Sequence, residues 1–197
     1  VYKPIRGERP LWDFPEASLA RRAAAAFIVS QALGWELVPP TVFRPTGPLG
    51  PGSLQLFIDH DPEYHYFNLK ESDRLRLRPV VLFDALVNNA DRKGSHIIFD
   101  PDGHLWLIDH GICFHAESKL RTVIWDFAGE PIPAELTGDL SNFHRKLAED
   151  TGLAAALQPL LSPEEMAALS ARAERLLKRG KFPDLPPNQR PIPWPPI

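Results

Sequence analysis

Apolar side chains recur every three or four residues in four stretches of the chain, and this spacing predicts helices that bury one face. The stretches cover residues 16–33, 79–88, 134–151 and 162–178. Gly34 follows the first stretch, and glycine there favours the left-handed residue that ends many helices. Three of the four predicted helices lie beyond residue 78, so we expect the second half of the chain to be mostly helical.

The predicted helix at residues 162–178 opens with a specific local pattern. Ser162 is followed by Pro163, and Glu165 stands three residues after Ser162. A serine at the N-cap and a glutamate three positions later form a capping box, in which each side chain satisfies a free backbone N–H. We therefore expect this helix to begin directly after Ser162.

Short apolar runs between turn residues predict strands. Residues 1–4 are typical of the end of a strand, and residues 41–43 and 53–58 flank a turn rich in glycine and proline. Residues 97–99 and 105–108 flank a Pro-Asp-Gly turn, which predicts a β-hairpin. The order of elements indicates an α+β fold, with a small mixed α/β part followed by a mostly helical part.

The composition bounds the class of protein. With 197 residues, the chain suits one domain or one domain made of two unequal lobes. A net charge of −3 argues against nucleic-acid binding and against stable membrane association. The single cysteine, Cys113, cannot form an internal disulfide, and neither a signal peptide nor an apolar run of membrane-spanning length is evident. We therefore expect a cytoplasmic protein.

Proline is over-represented, with 22 residues, and it is concentrated after residue 182. Proline fixes φ and lacks the N–H donor, so residues 183–197 cannot form a regular helix. We expect an extended C-terminal strap that lies over its own domain, held by Ile192 and Trp194. The alternative is a proline-rich ligand for a partner domain.

Two acidic residues flank the predicted hairpin. Asp91 follows the helix at residues 79–88, and Asp109 follows the second hairpin strand. A hairpin brings its two ends together, so we expect these carboxylates to lie close to each other. Phosphoryl transfer uses one carboxylate to orient the hydroxyl, another to hold Mg²⁺, and a lysine to neutralise the phosphates. Lys3, at the end of the first strand, is positioned to be that lysine.

The motifs around these residues resemble a known family. They are VYKPIRGERPLWDFP, LFDALVNNADRKGSH, IDHGICFH and KLRTVIWDFAGEP. The sequence ADRKGSH followed by IDHG is similar to the catalytic loop and metal-binding motif of the phosphatidylinositol 3-/4-kinase and HipA-like branch of the protein-kinase-like superfamily. Together the four motifs resemble an actinobacterial family of small kinase-like proteins, and the resemblance extends from Val1 to about Lys178.

The resemblance implies a two-lobed protein-kinase-like fold. A small mixed α/β N-lobe with a hinge would occupy residues 1–59, a helical C-lobe with the catalytic hairpin residues 60–182, and the strap residues 183–197. Because residues 1–4 begin inside a strand, we expect further N-lobe upstream of Val1. The expected activity is transfer of phosphate from ATP, with Mg²⁺, to a hydroxyl of a protein Ser/Thr or of a small molecule.

The resemblance also assigns roles by position. Lys3 matches the strand lysine that contacts the phosphates and serves catalysis. Asp91 matches the catalytic aspartate, Asp109 the metal-binding aspartate, and His96 a position where the superfamily usually has a metal-binding asparagine. The hinge that would bind adenine is matched by five consecutive residues, Gln55, Leu56, Phe57, Ile58 and Asp59.

Departures from the family pattern keep other functions open. Mg²⁺ prefers oxygen ligands, so His96 either contacts phosphate or leaves a single firmly held metal. His110 replaces the usual phenylalanine of Asp-Phe-Gly, and a helix glutamate to pair with Lys3 is not evident, Glu16 being the nearest candidate. A catalytically degenerate nucleotide-binding protein is therefore the alternative, and AMP transfer on the same scaffold stays open.

Overall fold

The computed structural model of the protein describes residues 1–149, 152–186 and 190–197. These residues form five strands and six α-helices. In chain order they are β1 (Tyr2–Pro4), α1 (Leu19–Leu33), β2 (Thr41–Arg44), β3 (Gly52–Gln55), α2 (Glu71–Leu75), α3 (Arg78–Val87), β4 (Ile97–Phe99), β5 (Leu105–Leu107), α4 (Ala134–Ala148), α5 (Gly152–Leu157) and α6 (Pro163–Arg179). Strands and helices are mixed up to β5, and only helices follow, as the sequence predicts for an α+β fold.

β1, β3 and β2 form a three-stranded antiparallel sheet in that spatial order. Lys3 pairs with Ser53 on the central strand, and Ser53 pairs with Phe43 on the far strand. Residues paired across strands share a face of the sheet, so these three side chains lie on one face. Helix α1 covers that face, with the guanidinium of Arg21 5.0 Å from the centre of the Phe43 ring. The sheet therefore presents Lys3 on its inner side.

Helix α3 lies in the centre of the hydrophobic core. All eight residues from Val80 to Val87 are buried, and a helix that is covered on every side belongs inside a protein. The hairpin and the helices α4 and α6 pack around it, through Leu107, Phe143 and Leu169 among others. Asp84 is the one charged side chain in this buried stretch, and a buried carboxylate requires a partner.

The ends of the first helix and the central strand differ from the prediction for physical reasons. α1 begins at Leu19 instead of residue 16, because Ala17 adopts a left-handed backbone (φ 60°) that cannot continue a helix. Its predicted end is confirmed, since Gly34 has a φ of 75°. β3 ends at Gln55 instead of residue 58, because Gln55 already pairs with Thr41, the first residue of β2.

The hairpin and the last helix confirm the prediction closely. β4 and β5 pair antiparallel, with Ile97 opposite Leu107. In α6, the Glu165 N–H donates to the Ser162 hydroxyl at 3.3 Å, and the Ser162 N–H donates to the Glu165 carboxylate at 2.9 Å. Glu165 also forms a buried ion pair with Arg22 of α1. Glu165 therefore has two roles, because it caps α6 and also links α6 to α1 through its ion pair with Arg22.

Two short helices were not predicted. α2 lies in the polar stretch at residues 59–78, and α5 follows the third predicted helix. Helices of one or two turns are too short to show a hydrophobic period, so only tertiary contacts reveal them. Helix α4 is described up to Ala148, and the predicted end at Thr151 lies outside the described residues.

The C-terminal segment contacts its own chain, but the predicted anchors are wrong. The carbonyl of Pro191 accepts the Thr122 N–H at 2.9 Å, and the carbonyl of Pro196 accepts the Gly94 N–H at 2.8 Å. Trp194 is 75% exposed and Ile192 41% exposed, whereas Pro193 is buried. Backbone hydrogen bonds and one proline ring therefore hold the segment, because the large apolar side chains find no cavity to fill.

Candidate active site

Asp91 lies in a loop that the end of helix α3 shapes. Asn88 ends the helix in a left-handed conformation (φ 54°). The next residue, Asn89, donates from its side chain to Asp84 at 3.0 Å and accepts the Asp91 N–H at 3.0 Å. Asn89 thus braces the Asp91 loop. The Asp91 carboxylate keeps only a loose contact, 3.9 Å to the Lys93 ammonium.

Arg92 ties the two ends of the hairpin together. Its guanidinium is fully buried and donates to both carboxylate oxygens of Asp84, the closest contacts being 2.9 Å. The same group donates to the carbonyl of Ile108 at 3.0 Å and to that of His96 at 3.3 Å. Asp91 precedes this residue and Asp109 follows Ile108, so one arginine fixes the backbone beside both carboxylates.

Sequence reasoning missed Arg92, because an arginine in a polar loop is usually exposed. The signal in the sequence that could have revealed the burial of Arg92 is Asp84, a carboxylate inside an otherwise apolar helix. Such a group must be paired when buried, and Arg92 follows it by eight residues.

Lys3 and Asp109 meet across the chain. The Lys3 ammonium lies 3.0 Å from Asp109 Oδ1, and His96 Nε2 lies 3.7 Å from Asp109 Oδ2. Asp109 lies two residues after the end of β5 and adopts a left-handed backbone (φ 61°), which is uncommon for a residue other than glycine. The structure therefore brings three of the predicted site residues together, 106 residues apart in the case of Lys3 and Asp109.

A cavity of about 420 Å³ lies beneath the sheet, between β1, α1 and the segment after β5. Its lining includes Lys3, Gln55 and Asp109. The other predicted hinge residues, Leu56, Phe57, Ile58 and Asp59, are not part of this lining. Leu56 and Phe57 are more than half exposed, and Asp59 lines a separate cavity near the hairpin turn. Gln55 is the member of the predicted hinge that lines the cavity, and adenine binding by all five residues stays a prediction.

The carboxylates carry different electrostatics. Burial raises the pKa of Asp91, although the neighbouring Lys93 acts against it. Burial acts to raise the pKa of Asp109 as well, but the charge of Lys3, its hydrogen bond and the other nearby groups together outweigh burial, and the pKa lies below its ordinary value. Asp109 is therefore fully ionised at neutral pH. Asp91 is the more basic of the two carboxylates.

The two histidines at the site are uncharged at neutral pH. Burial, assisted by the charge of Arg92, lowers the pKa of His96 to about 4. His110 is fully buried, and the same two causes hold its pKa well below the ordinary value. Arg92 can only donate, so its 2.8 Å contact makes His110 Nε2 an acceptor and leaves the proton on Nδ1. That nitrogen is buried without a hydrogen-bond partner among the described residues.

The donor chemistry of the site fits Mg²⁺ at Asp109 alone. In the described part of the chain, no three His, Cys, Asp or Glu side chains converge on one point as a protein-only metal cage would require. Asp109 is ionised, half-exposed and part of the cavity wall, and Mg²⁺ usually binds one or two carboxylates together with substrate phosphates. The neutral imidazole of His96 is a poor ligand for that ion.

A glutamate does reach this cavity, but it is Glu8 and not Glu16. Glu8 lines the cavity and accepts the Ala20 N–H of helix α1 at 3.0 Å. Glu16 is exposed and borders the smaller neighbouring groove. The partner of Lys3 is Asp109. Glu8 was missed because its closeness to α1 depends on the path of the loop after β1.

The comparisons with known proteins now decide the family. The model of the family "Phosphatidylinositol 3- and 4-kinase" matches residues 32–161. The chain belongs to the phosphatidylinositol 3- and 4-kinase family. The matched region contains the hairpin, Asp91 and Asp109, so this family resemblance covers the part of the site that the helical half provides.

Relatives of this kinase family extend the comparison. Protein Rv2133c of Mycobacterium tuberculosis is 41% identical over 232 aligned positions, which cover 99% of this chain and 81% of that protein. Phosphatidylinositol 4-kinase gamma 4 of rice (Oryza sativa subsp. japonica) is 28% identical over 137 positions, which cover 59% of this chain but only 24% of that protein. The actinobacterial kinase-like resemblance is thereby confirmed.

A solved structure supports the fold of this kinase family member. The structure of hydra Fam20 with sugar matches with a TM-score of 0.51 and 16% identity, over 90% of this chain and 76% of that one. At this identity the match concerns the fold alone, which is kinase-like. As a member of this kinase family, the chain is an ATP-dependent phosphotransferase. No helix in the described residues is long and apolar enough to cross a membrane.

Proposed function

We propose that this kinase transfers the γ-phosphoryl group of Mg-ATP to a hydroxyl of a protein Ser/Thr or of a small molecule. The observation that carries the proposal is the meeting of Lys3 and Asp109 at 3.0 Å on the wall of a cavity. Asp91 does not line this cavity and lies in the loop that precedes the hairpin. A cation for phosphates, a carboxylate for metal and a carboxylate for the hydroxyl are the parts that phosphoryl transfer needs.

In this proposal each carboxylate has one role. Asp91 orients the acceptor hydroxyl and takes its proton as the oxygen attacks the γ-phosphorus. The bond between that phosphorus and the β–γ bridging oxygen breaks, and ADP leaves with the electron pair. Asp109 would hold Mg²⁺, and that ion would neutralise negative charge on the phosphate oxygens. Lys3 exchanges part of its contact with Asp109 for a phosphate.

The boundaries of the lobes belong to the same proposal. Residues 1–59 would form the small lobe with its hinge, residues 60–182 the helical lobe, and residues 183–197 the strap. The buried pair between Arg22 of α1 and Glu165 of α6 crosses this division, so we expect the lobes to move less freely than two separate domains.

Intact-mass spectrometry after incubation with Mg-ATP tests the reaction type. Phosphoryl transfer to the chain itself adds about 80 Da, whereas AMP transfer adds about 329 Da. Release of ADP in the presence of a peptide or small-molecule library extends the test to acceptors other than the chain. Mg-ATP binding without any transfer, with every acceptor tried, would favour the degenerate nucleotide-binding alternative.

A further inference from the structure

A second cation, Arg9, lines the cavity that contains Lys3 and Asp109. Its side chain is exposed and, within the described part of the chain, makes no hydrogen bond, ion pair or ring contact. Eight other arginines of this protein contact carboxylates or backbone carbonyls: Arg22, Arg74, Arg76, Arg78, Arg92, Arg145, Arg172 and Arg179. An arginine that faces a cavity without a partner is available for a ligand.

Hydrogen bonds hold the loop that precedes Arg9. The Ile5 N–H donates to the carbonyl of Pro51 at 2.8 Å, and the Glu8 N–H donates to the carbonyl of Ile5 at 2.9 Å. The Glu8 carboxylate accepts the Ala20 N–H at the start of α1. These bonds connect the loop to the sheet and to the helix, so the position of Arg9 at the cavity edge is set by the fold.

Among the described residues, Arg9 forms no ion pair with either carboxylate of the cavity. Four charged side chains line the cavity, Lys3 and Arg9 against Glu8 and Asp109. Lys3 already pairs with Asp109, and Glu8 is engaged with a helix N-terminus. A triphosphate brings several negative charges into this space, and Lys3 alone cannot balance them. Guanidinium groups bind phosphate through two parallel N–H donors, which makes arginine well suited to the task.

We propose that Arg9 is a second phosphate-binding residue, which contacts the triphosphate of the nucleotide from the α1 side of the cavity. The inference rests on the proposed function, since it assumes that Mg-ATP occupies this cavity. It assigns this chain a pair of cations, Lys3 from β1 and Arg9 from the following loop.

Isothermal calorimetry of Mg-ATP and of adenosine on matched variants tests the inference. Arg9→Ala should weaken Mg-ATP binding on the order of tenfold, the loss of one charge-assisted hydrogen-bonding group. Adenosine lacks the phosphates, so its affinity should not change. Arg9→Lys keeps the charge without the paired donors and should lie between wild type and Arg9→Ala. Arg6→Ala is the control, because Arg6 is exposed three residues earlier and does not line the cavity.

The outcomes separate this inference from the proposed function. If wild type binds Mg-ATP and Arg9→Ala binds it equally well, Arg9 has no phosphate role and the kinase proposal stands. If Arg9→Ala loses adenosine and melting temperature together with Mg-ATP, its role is structural and the inference is overturned. If wild type binds no Mg-ATP, the proposed function and this inference both fail.

Discussion

Asp91 combines two properties: it is partly buried, and among the described residues its carboxylate has no partner closer than 3.9 Å. Burial raises its pKa, and its nearest cation, the Lys93 ammonium, is 3.9 Å away. Folding therefore disfavours the ionised form of this side chain. A group maintained at such a cost to stability is typical of a functional position.

We predict that Asp91→Asn lowers turnover at least a hundredfold and leaves Mg-ATP affinity within a few-fold, because the carboxylate acts on the hydroxyl and not on the nucleotide. The folded-state pKa of Asp91 is raised, so this group stabilises the fold at low pH, and the contribution is lost as pH rises through that pKa. At pH 7 the asparagine should therefore slightly raise the melting temperature. Single-turnover rates and thermal shift on this variant measure both effects.

The pH profile provides the control for that variant. Wild-type kcat should fall as pH drops through the raised pKa of Asp91, whereas any residual activity of Asp91→Asn should lack this acidic limb. A variant that loses melting temperature and Mg-ATP affinity together would indicate that Asp91 only caps its loop.

Substitution of Lys3 should also change ligand binding without changing the stability of the fold. Its ion pair with Asp109 is half-exposed on both sides, and such pairs contribute about 0–1 kcal/mol. We predict that Lys3→Met weakens Mg-ATP binding about tenfold or more, with the melting temperature of the ligand-free protein nearly unchanged. Calorimetry and thermal shift measure the two quantities, and a large loss of ligand-free stability would contradict a phosphate role.

The hairpin depends on one buried ion pair. Both Asp84 and Arg92 are fully buried, and Arg92 also satisfies two backbone carbonyls at the hairpin ends. Removing one member of a buried pair leaves the other charge without compensation. Helix α3 and the β4–β5 hairpin therefore behave as one unit.

We predict that Arg92→Met lowers the free energy of unfolding by about 3–5 kcal/mol. Asp84→Leu should be similarly destabilising, and the double variant should lose less than the sum of the two single losses. Urea denaturation measures all three. Arg145→Met is the control, because the Arg145–Glu149 pair is more than half exposed on one side and half on the other, and its loss should cost about 1 kcal/mol or less. Additive losses at Asp84 and Arg92 would refute the coupling.

Across the whole molecule, the C-terminal segment covers the loop after Asp91 without entering the cavity. It is attached through the amides of Gly94 and Thr122, and residues 190–197 do not line the cavity. We predict that deletion of residues 190–197 leaves Mg-ATP affinity unchanged and increases hydrogen exchange at both amides. Calorimetry with hydrogen-exchange mass spectrometry tests this. The full-length variant Pro193→Ala removes only the buried ring and should show a smaller increase, and loss of Mg-ATP affinity on deletion would contradict the prediction.

The sequence-based predictions succeeded where neighbouring residues determine the structure and failed where contacts between distant segments determine it. The capping box of Ser162 and Glu165 lies within four residues, so the start of α6 could be predicted to the residue. The contact between Lys3 and Asp109 agrees with the roles that the resemblance assigned to these residues, whereas the expected closeness of Asp91 to Asp109 stays a prediction. The burial of Arg92 and the path of Glu8 depend on contacts with distant segments, and a single sequence does not encode these in any local pattern. The end of β3 depended on where its partner β2 begins.

The buried ion pair between Arg22 and Glu165 should constrain how these two positions change in evolution. These residues lie 143 positions apart, and their side chains are almost entirely buried. A substitution that removed one charge would leave the other charge buried without a partner, which is destabilising. Evolution should therefore conserve both residues or replace both. We expect homologues that carry a neutral residue at one of these positions to carry a neutral residue at the other. Joint occurrence of the pair would then mark proteins whose first helix is fastened to the last in the same way.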